Sequence, residues 1–518
     1  MTDEKQLPPG LVLWPGDGGQ QRIGVVISDI HCTDCSVGNQ TADDSDWKSF
    51  FGELEVTLKA SITKASEVVL ILNGDVVDVL RSGKWAENNV YPWQRNNPGF
   101  ETTLMSIMHA IVAVHAREPK EEFGKRRIRG PGEEPESSGF FFYLKQMVGN
   151  ITGKVARVSL IPVAGNHDKE LQVVPKAREL YYRECLGLEA GDLDAGYRNW
   201  VARQMGSDPN DPWPMLPFYY ADPSLRLFAT HGQWRDMTNS RTTLQWKVCH
   251  GWKPQIWQQD RYRAFSDSCF GDTIASGMLS NFIWNTTQAI RNEVIPFAVQ
   301  RTRNDGIDHI LNVLGEMDLY RPSERAVVRL LQEAKNLDRK DANFPRLFRT
   351  VIAQYRKSLQ SWLGHRETFA LAPLPFKILL YVIRALSHVH WTRLDTKLMQ
   401  LMAWASGLKE STPYAKLPAF LSDYRPLGFH LHAEGHTHVT MEVDLRYNSP
   451  PEPRNYTYVN LGAWRNRIVQ KYEKKGYRRR CIGRALIVHG DAQGESACEG
   501  YSFSLRDITS WGDRLDKW

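Results

Sequence analysis

Residues 163–170 read VAGNHDKE, which places an amide, an imidazole and a carboxylate in a row behind a short apolar run. Asn166, His167 and Asp168 form one of five polar clusters of this kind. The others are SDIH with Asp29 and His31, NGDVVD with Asp75 and Asp78, THG with His231, and EGHTH with His436 and His438. Carboxylate oxygens, an amide oxygen and imidazoles together suit borderline divalent or trivalent metals such as Mn, Fe or Zn, and suit calcium poorly. Alternate residues of an extended segment point the same way, so Asp29 with His31, and His436 with His438, are each placed to reach one site together. Glycines stand directly before Asp75, Asn166 and His436 and directly after His231, where they allow sharp turns or close backbone approach. Taken singly, each cluster has an ordinary explanation: a D-x-H is most often a surface loop, and a Gly-Asp is most often a turn. Five in order have no such explanation, because buried carboxylates and imidazoles are costly without a metal or partners.

The runs in front of the clusters read as strands. IGVVIS (23–28), EVVLILN (67–73) and VARVSLIPVAG (155–165) are short, apolar and rich in β-branched residues. RLFAT (226–230) and FHLHAEG (429–435) are weaker versions, and YVNLGAW (458–464) and RALIVHG (484–490) add two more candidates. In sheets packed between helices, ligands bind beyond the carboxyl ends of the strands, so five clusters at five strand ends converge on one site. Two segments break this rhythm. Residues 85–150 hold an apolar stretch, TLMSIMHAIVAVHA (103–116), and a charged patch at 117–139 that reads as a surface loop. Residues 236–425 are mostly helical by pattern: SERAVVRLLQEAKNL (323–337) and TKLMQLMAWASGL (396–408) repeat apolar residues at three- and four-residue spacings.

A chain of 518 residues has room for two or three domains, or for one domain with large insertions. Its formal net charge of +6 is small for that size and allows an anionic substrate without demanding nucleic acid. Seven cysteines, odd in number and scattered, predict free thiols in a reducing compartment; Cys32 and Cys35 form a CTDC with no second pair at zinc-ribbon spacing. MTDEKQLPPG lacks the basic and apolar regions of a signal peptide, and no run of about 18 apolar residues marks a transmembrane helix. These features predict a cytoplasmic protein with no transmembrane segment. Peripheral membrane contact through the insertion stays open, and the sequence does not set the oligomeric state.

The series Asp29-Ile30-His31, Gly74-Asp75-Val76-Val77-Asp78, Gly165-Asn166-His167-Asp168, His231, Gly435-His436-Thr437-His438 resembles the calcineurin-like metallophosphoesterase superfamily, with every motif intact. YVNLGAW is similar to the Asn-x-Gly-x-Trp segment that follows the last motif there. The likeness covers about 23–84, 150–235 and 426–490. It implies an α/β fold, a four-layer α/β/β/α metallophosphoesterase sandwich of two sheets carrying a large, mostly helical insertion. It also implies a phosphoester hydrolase acting on a phosphomonoester or phosphodiester, such as a nucleotide or other small phosphate. By this resemblance Asp29, His31, Asp75 and His438 hold one metal ion. Asp75 bridges to a second, held also by Asn166, His231 and His436. Two ions about 3.5–4 Å apart clamp a phosphoryl group and activate water for in-line attack. His167 is then the proton donor or charge stabiliser at the leaving group, with Asp168 orienting its imidazole. Asp78 either supports the ligands or caps the next helix.

The resulting organisation is an N-terminal arm (1–22), a first part of the hydrolase domain (23–235, with 85–150 inserted), a helical insertion (236–425) and a second part with a C-terminal tail (426–518). The insertion enters just after His231 and leaves just before His436, which is where a cap over the site would be rooted. Three alternatives stand beside this reading. GDVVDVL-R-x-x-x-W is loosely similar to a segment of the UDP-diacylglucosamine hydrolases, which carry Arg in place of His167 and lack so large an insertion. Nucleases share GNHD. A partner-binding scaffold on the same fold would be expected to have lost ligands. Among the remaining residues, His109, His115, His388 and His390 read as core or surface histidines. Arg81, Arg235 and Arg465 follow motif positions and either contact phosphate oxygens or lie on the surface. KKGYRRR (474–480) reads as a solvated hairpin tip or a grip for an anion or a membrane surface.

Overall fold

The computed structural model describes residues 11–15, 21–38, 42, 44–63, 66–119, 138–236, 238–240, 266–297, 307–321, 324–340, 347–387, 429–447, 454–465, 467–470, 477–480, 482–490, 502–510 and 514–515. The fold is mixed α/β. One five-stranded sheet has the order β13-β12-β1-β2-β3, formed by Ser502–Ser510, Ile482–His489, Arg22–Ile27, Glu67–Asn73 and Arg157–Val163. Strands β1, β2 and β3 are parallel, with β3 at one edge, and β12 and β13 add to the sheet antiparallel. A second five-stranded sheet has the order β4-β5-β7-β9-β8, formed by Tyr219–Asp222, Leu227–Thr230, Leu431–Glu434, Arg454–Asn460 and Met441–Tyr447. Here β5, β7 and β9 are parallel between antiparallel edges. Strands β1 and β2 are buried along their whole length, which is why they read as continuous apolar runs rather than alternating ones.

Both sheets belong to one apolar core, with Val25, Val69 and Ile161 from the first and Phe228, Ala433 and Val459 from the second. Helix Asp44–Ser61 closes one side through Trp47, Phe50 and Phe51, whose rings meet Phe140 of helix Phe140–Thr152 and Trp464. The apolar stretch at 103–116 is helix Gly99–His115, with Leu104, Ile107, Met108 and Ile111 buried on one face.

Within the insertion, helices Asn281–Ala289, Asp308–Gly315, Glu324–Lys340, Leu347–Gly364 and Leu374–Ser387 build a second apolar core. That core also takes in Val37 and Ile468, from outside the insertion. A small third sheet explains how: β6 (Tyr320–Arg321) runs parallel to β10 (Arg467–Gln470), which pairs with β11 (Tyr477–Arg480) and through it with β14 (Arg514–Leu515). The insertion is therefore joined by backbone pairing to the segment that follows the last motif. This joint was not expected from the sequence. The charged patch at 120–137, the helix expected at 396–408, the histidines at 388 and 390 and most of the N-terminal arm lie outside the described residues. Among the described residues, no helix is long and apolar enough to cross a membrane.

Candidate metal centre

The five clusters sit where the strand topology sends them. Asp29 and His31 follow β1, Asp75 follows β2, Asn166 follows β3, His231 follows β5, and His436 and His438 follow β7. All of these strands are parallel to a neighbour within their own sheet, so their carboxyl ends share an edge. Two cross-links bring the two edges together: Asn73 donates to the Thr230 carbonyl at 3.0 Å, and Trp464 N donates to the Asp29 carbonyl at 3.0 Å. Within the second sheet's edge, Gly435 N donates to the His231 carbonyl at 3.1 Å.

The backbone at the site is unusual. Asp29, His31, Asp75, His436 and His438 all hold positive φ, between 51° and 65°. Among the described residues only Cys35, Asn89 and Arg226 are the other non-glycine residues to do so. This region of backbone space is disfavoured for residues with a Cβ, and it concentrates at functional sites. It also corrects the expectation of extended D-x-H and H-x-H segments. His436 and His438 do not point to one place but diverge into neighbouring groups. Asp29, His31 and His438 form one group whose ligand atoms lie within 4.8 Å of one another, and Asp75, His231 and His436 form a second. A third combination, His31, Asp75 and His167, links them. Close approach explains the glycine before His436: a Cβ on Gly435 would stand 1.9 Å from Asp29 Oδ2 and 2.1 Å from Ser28 Oγ.

The ring nitrogens show what the cluster lacks among its own atoms. His31 Nδ1 lies 3.0 Å from Asp78 Oδ2 and must donate to it, so Nε2 carries a bare lone pair. That Nε2 faces His438 Nε2 at 3.0 Å and Asp75 Oδ2 at 3.8 Å. His231 Nδ1 donates to the Asn73 carbonyl at 3.1 Å, which turns its Nε2 toward Asp75 Oδ2 at 3.1 Å and Asn166 Oδ1 at 3.2 Å. His436 Nδ1 meets the same Asn166 oxygen at 3.0 Å, while its Nε2 is 3.4 Å from Asp236 Oδ2. Imidazole nitrogens, two carboxylates and an amide oxygen thus converge within a few ångströms, a set of ligand atoms that could hold a cation. The titration behaviour agrees. Burial opposes the charged form of His231, but Asp75 and Asp29 overcome it and raise its pKa to about 9, so a proton supplies positive charge there. Burial lowers His31 to about 4, which keeps it a neutral donor. Burial works against the Asp75 carboxylate, yet the imidazoles of His231 and His167 hold it well below its usual range. The donor set fits two borderline ions.

Comparison with family models, with curated proteins and with solved structures finds nothing that matches this chain.

His167 lies beside the cluster, its side chain 18% exposed. Its Nδ1 is 2.7 Å from Asp78 Oδ1, and its backbone N donates to Asp75 Oδ1 at 2.8 Å. The expectation that Asp168 orients His167 is corrected here. Asp168 accepts from the backbone N–H groups of Gly165 at 2.7 Å and Val76 at 3.2 Å, and so ties the third motif to the second. Asp78 instead holds both imidazoles, one oxygen on His31 and the other on His167. It also accepts from Arg81 N at 3.1 Å, within the turn and ahead of the next helix, Lys84–Glu87, whose start it does not cap; of the two roles the sequence left open, Asp78 has the supporting one. Asp236, which sequence reading missed as a partner of His436, had no signal beyond its position a few residues after His231. His115 is a core histidine, as expected, and His109 is exposed. Arg81 and Arg465 are not surface residues: both are buried.

Proposed function

We propose that the protein is a metal-dependent phosphoester hydrolase of the calcineurin-like kind, with a four-layer α/β/β/α sandwich formed by the two five-stranded sheets and their flanking helices. The observation that carries this reading is the convergence of seven donor residues from five strand ends, with imidazole nitrogens close to carboxylate and amide oxygens. Asp29, His31, Asp75 and His438 would hold one Mn, Fe or Zn ion, and Asp75, Asn166, His231 and His436 a second. Bound there, such ions supply Lewis-acid stabilisation of phosphoryl oxygens and an activated water for in-line displacement.

The chain's own residues supply the rest. His167 donates a proton from Nε2 to the departing oxygen, because Nδ1–H is committed to Asp78. Burial disfavours the imidazolium, but Asp78 and Asp75 outweigh it and raise the His167 pKa, so the proton-bearing form is available near neutral pH. Asp78 fixes the ring and its tautomer. The substrate class is a phosphomonoester or phosphodiester of a nucleotide or other small molecule.

The test is hydrolysis of bis-p-nitrophenyl phosphate and p-nitrophenyl phosphate by chelated protein to which Mn, Zn, Fe or Mg is returned, with metal content measured in parallel. Turnover should depend on metal, and His167→Ala should keep the metal while losing turnover. Asp75→Asn should lose both. Protein that binds no metal under any of these conditions would overturn the reading.

A further inference from the structure

Beside His167 lies a second charged cluster that the hydrolytic chemistry does not use. Arg81 and Arg465 are only 4% and 7% exposed, and both guanidinium groups meet one carboxylate, Asp318 of the insertion. Arg81 Nη2 is 2.7 Å from Asp318 Oδ2, and Arg81 Nη1 is 3.6 Å from Asp78 Oδ2. Neither contact is aligned as a hydrogen bond, so Nη1 and Nη2 of Arg81 are buried and ion-paired but have no well-aligned acceptor among the described residues. Such groups are rare in folded proteins. Both arginines leave turns that carry the candidate ligands: Arg81 N donates to Asp78, and Arg465 follows Trp464, whose N donates to the Asp29 carbonyl. Asp318 arrives through the β6–β10 pairing, which sets Tyr320 opposite Ile468.

Two guanidinium groups that stay protonated share Asp318, and Asp78, 3.6 Å from Arg81 Nη1, is hydrogen-bonded to two imidazoles as well. Burial and the facing Arg81 charge push the Arg465 pKa down, against the pull of Asp318 and Asp78. A buried pair of guanidinium groups with poorly aligned N–H donors is matched by a phosphate group, which brings negative charge and several acceptor oxygens.

We propose that Arg81 and Arg465 form an anion subsite beside His167, bridged by Asp318 in this structure, and that it takes a phosphate group of the substrate other than the one cleaved. This rests on the hydrolase reading for the word substrate, but the subsite itself can be tested without turnover. Inorganic phosphate is titrated into the full-length, chelator-treated protein, with chloride at matched ionic strength as the reference, and followed by calorimetry and by thermal unfolding. Phosphate should bind and raise the Tm of the wild type above the chloride value. Asp318→Asn, which removes the competing charge and keeps an acceptor oxygen, should bind phosphate about tenfold more tightly. Arg465→Gln should lose the phosphate-specific shift. Phosphate and chloride acting alike on the wild type would overturn the subsite, as would an Arg465→Gln protein that binds phosphate like the wild type; neither outcome depends on Asp318→Asn folding. With metal restored, Arg465→Gln should raise KM for adenosine bisphosphate more than for p-nitrophenyl phosphate. Equal changes in the two would remove the subsite from the substrate's path. An absence of turnover with phosphate binding intact would count against the hydrolase reading alone.

Discussion

Asp78 is the residue at which chemistry and framework meet. One carboxylate sets the tautomers of His31 and His167, so its loss should disturb the proposed metal ligand and the proposed proton donor together. Asp78→Asn is expected to lower kcat by about 100-fold, the scale at which partners of metal-ligating histidines act. Asp168→Asn keeps an oxygen for Gly165 N and should mainly lower the unfolding midpoint. Measuring both variants side by side decides the assignment, and a larger kcat loss in Asp168→Asn would reverse it. Gly435→Ala places a methyl group inside contact distance of Asp29 and Ser28, and should cut metal content, measured by elemental analysis, without unfolding the sheets. The seven donors are legible in the sequence because their residue types carry the chemistry. The division of labour between Asp78 and Asp168 is not, since it depends on how two turns from different strands lie against each other. The left-handed backbone at Asp29, His31, Asp75, His436 and His438 is likewise invisible there, because nothing about an Asp or a His announces it.

At the level of elements, the strands legible in the sequence are the ones buried among neighbours. β1 and β2 can be placed within a residue of their ends because burial on both faces leaves an uninterrupted apolar run. In the two five-stranded sheets, the strands that the apolar runs do not reveal, β4, β8 and β13, are all at sheet edges. Edge strands carry charged and polar residues, as MEVDLRY and SFSLRDITS do, and so lose the apolar signal. The helical character of the insertion is legible, but its docking is not. Lys169, three residues after Asn166, forms a buried ion pair at 2.7 Å with Asp272 of the insertion, and Arg95 and Glu170 form another beside it. Asp272→Ala would strand the Lys169 charge in the interior, at a cost of about 3–5 kcal/mol in unfolding free energy by urea titration. A change under about 1 kcal/mol, the range of a solvated surface pair, would show that the insertion is not locked to the third motif through this contact.

For the whole molecule, the two sheets share one core, and acid should open it through a group far from the ion pairs of the insertion. His115 is fully buried, its Nε2–H donating to the Thr33 carbonyl at 2.8 Å and its Nδ1 accepting from Ser138. Burial lowers its pKa from 6.5 to about 4, with the Thr33 contact pulling weakly the other way. Between those values the unfolded chain holds a proton that the folded chain refuses. Stability from this residue is therefore fully present above pH 6.5 and is lost as pH falls toward 4. The loss is on the order of 3 kcal/mol, since each tenfold change in proton affinity between the folded and unfolded chain is worth about 1.4 kcal/mol. His115→Gln can preserve both hydrogen bonds with a group that does not titrate. At neutral pH the variant should be the less stable protein, because the glutamine packs less well than the ring. Urea midpoints followed downward in pH should then converge, the wild type losing stability faster than the variant as the histidine is forced to charge. Parallel curves would mean that His115 can take up its proton inside the fold. The acid sensitivity of the molecule would then have to come from the carboxylates and imidazoles of the metal centre, where returning the metal, rather than replacing His115, should change the slope.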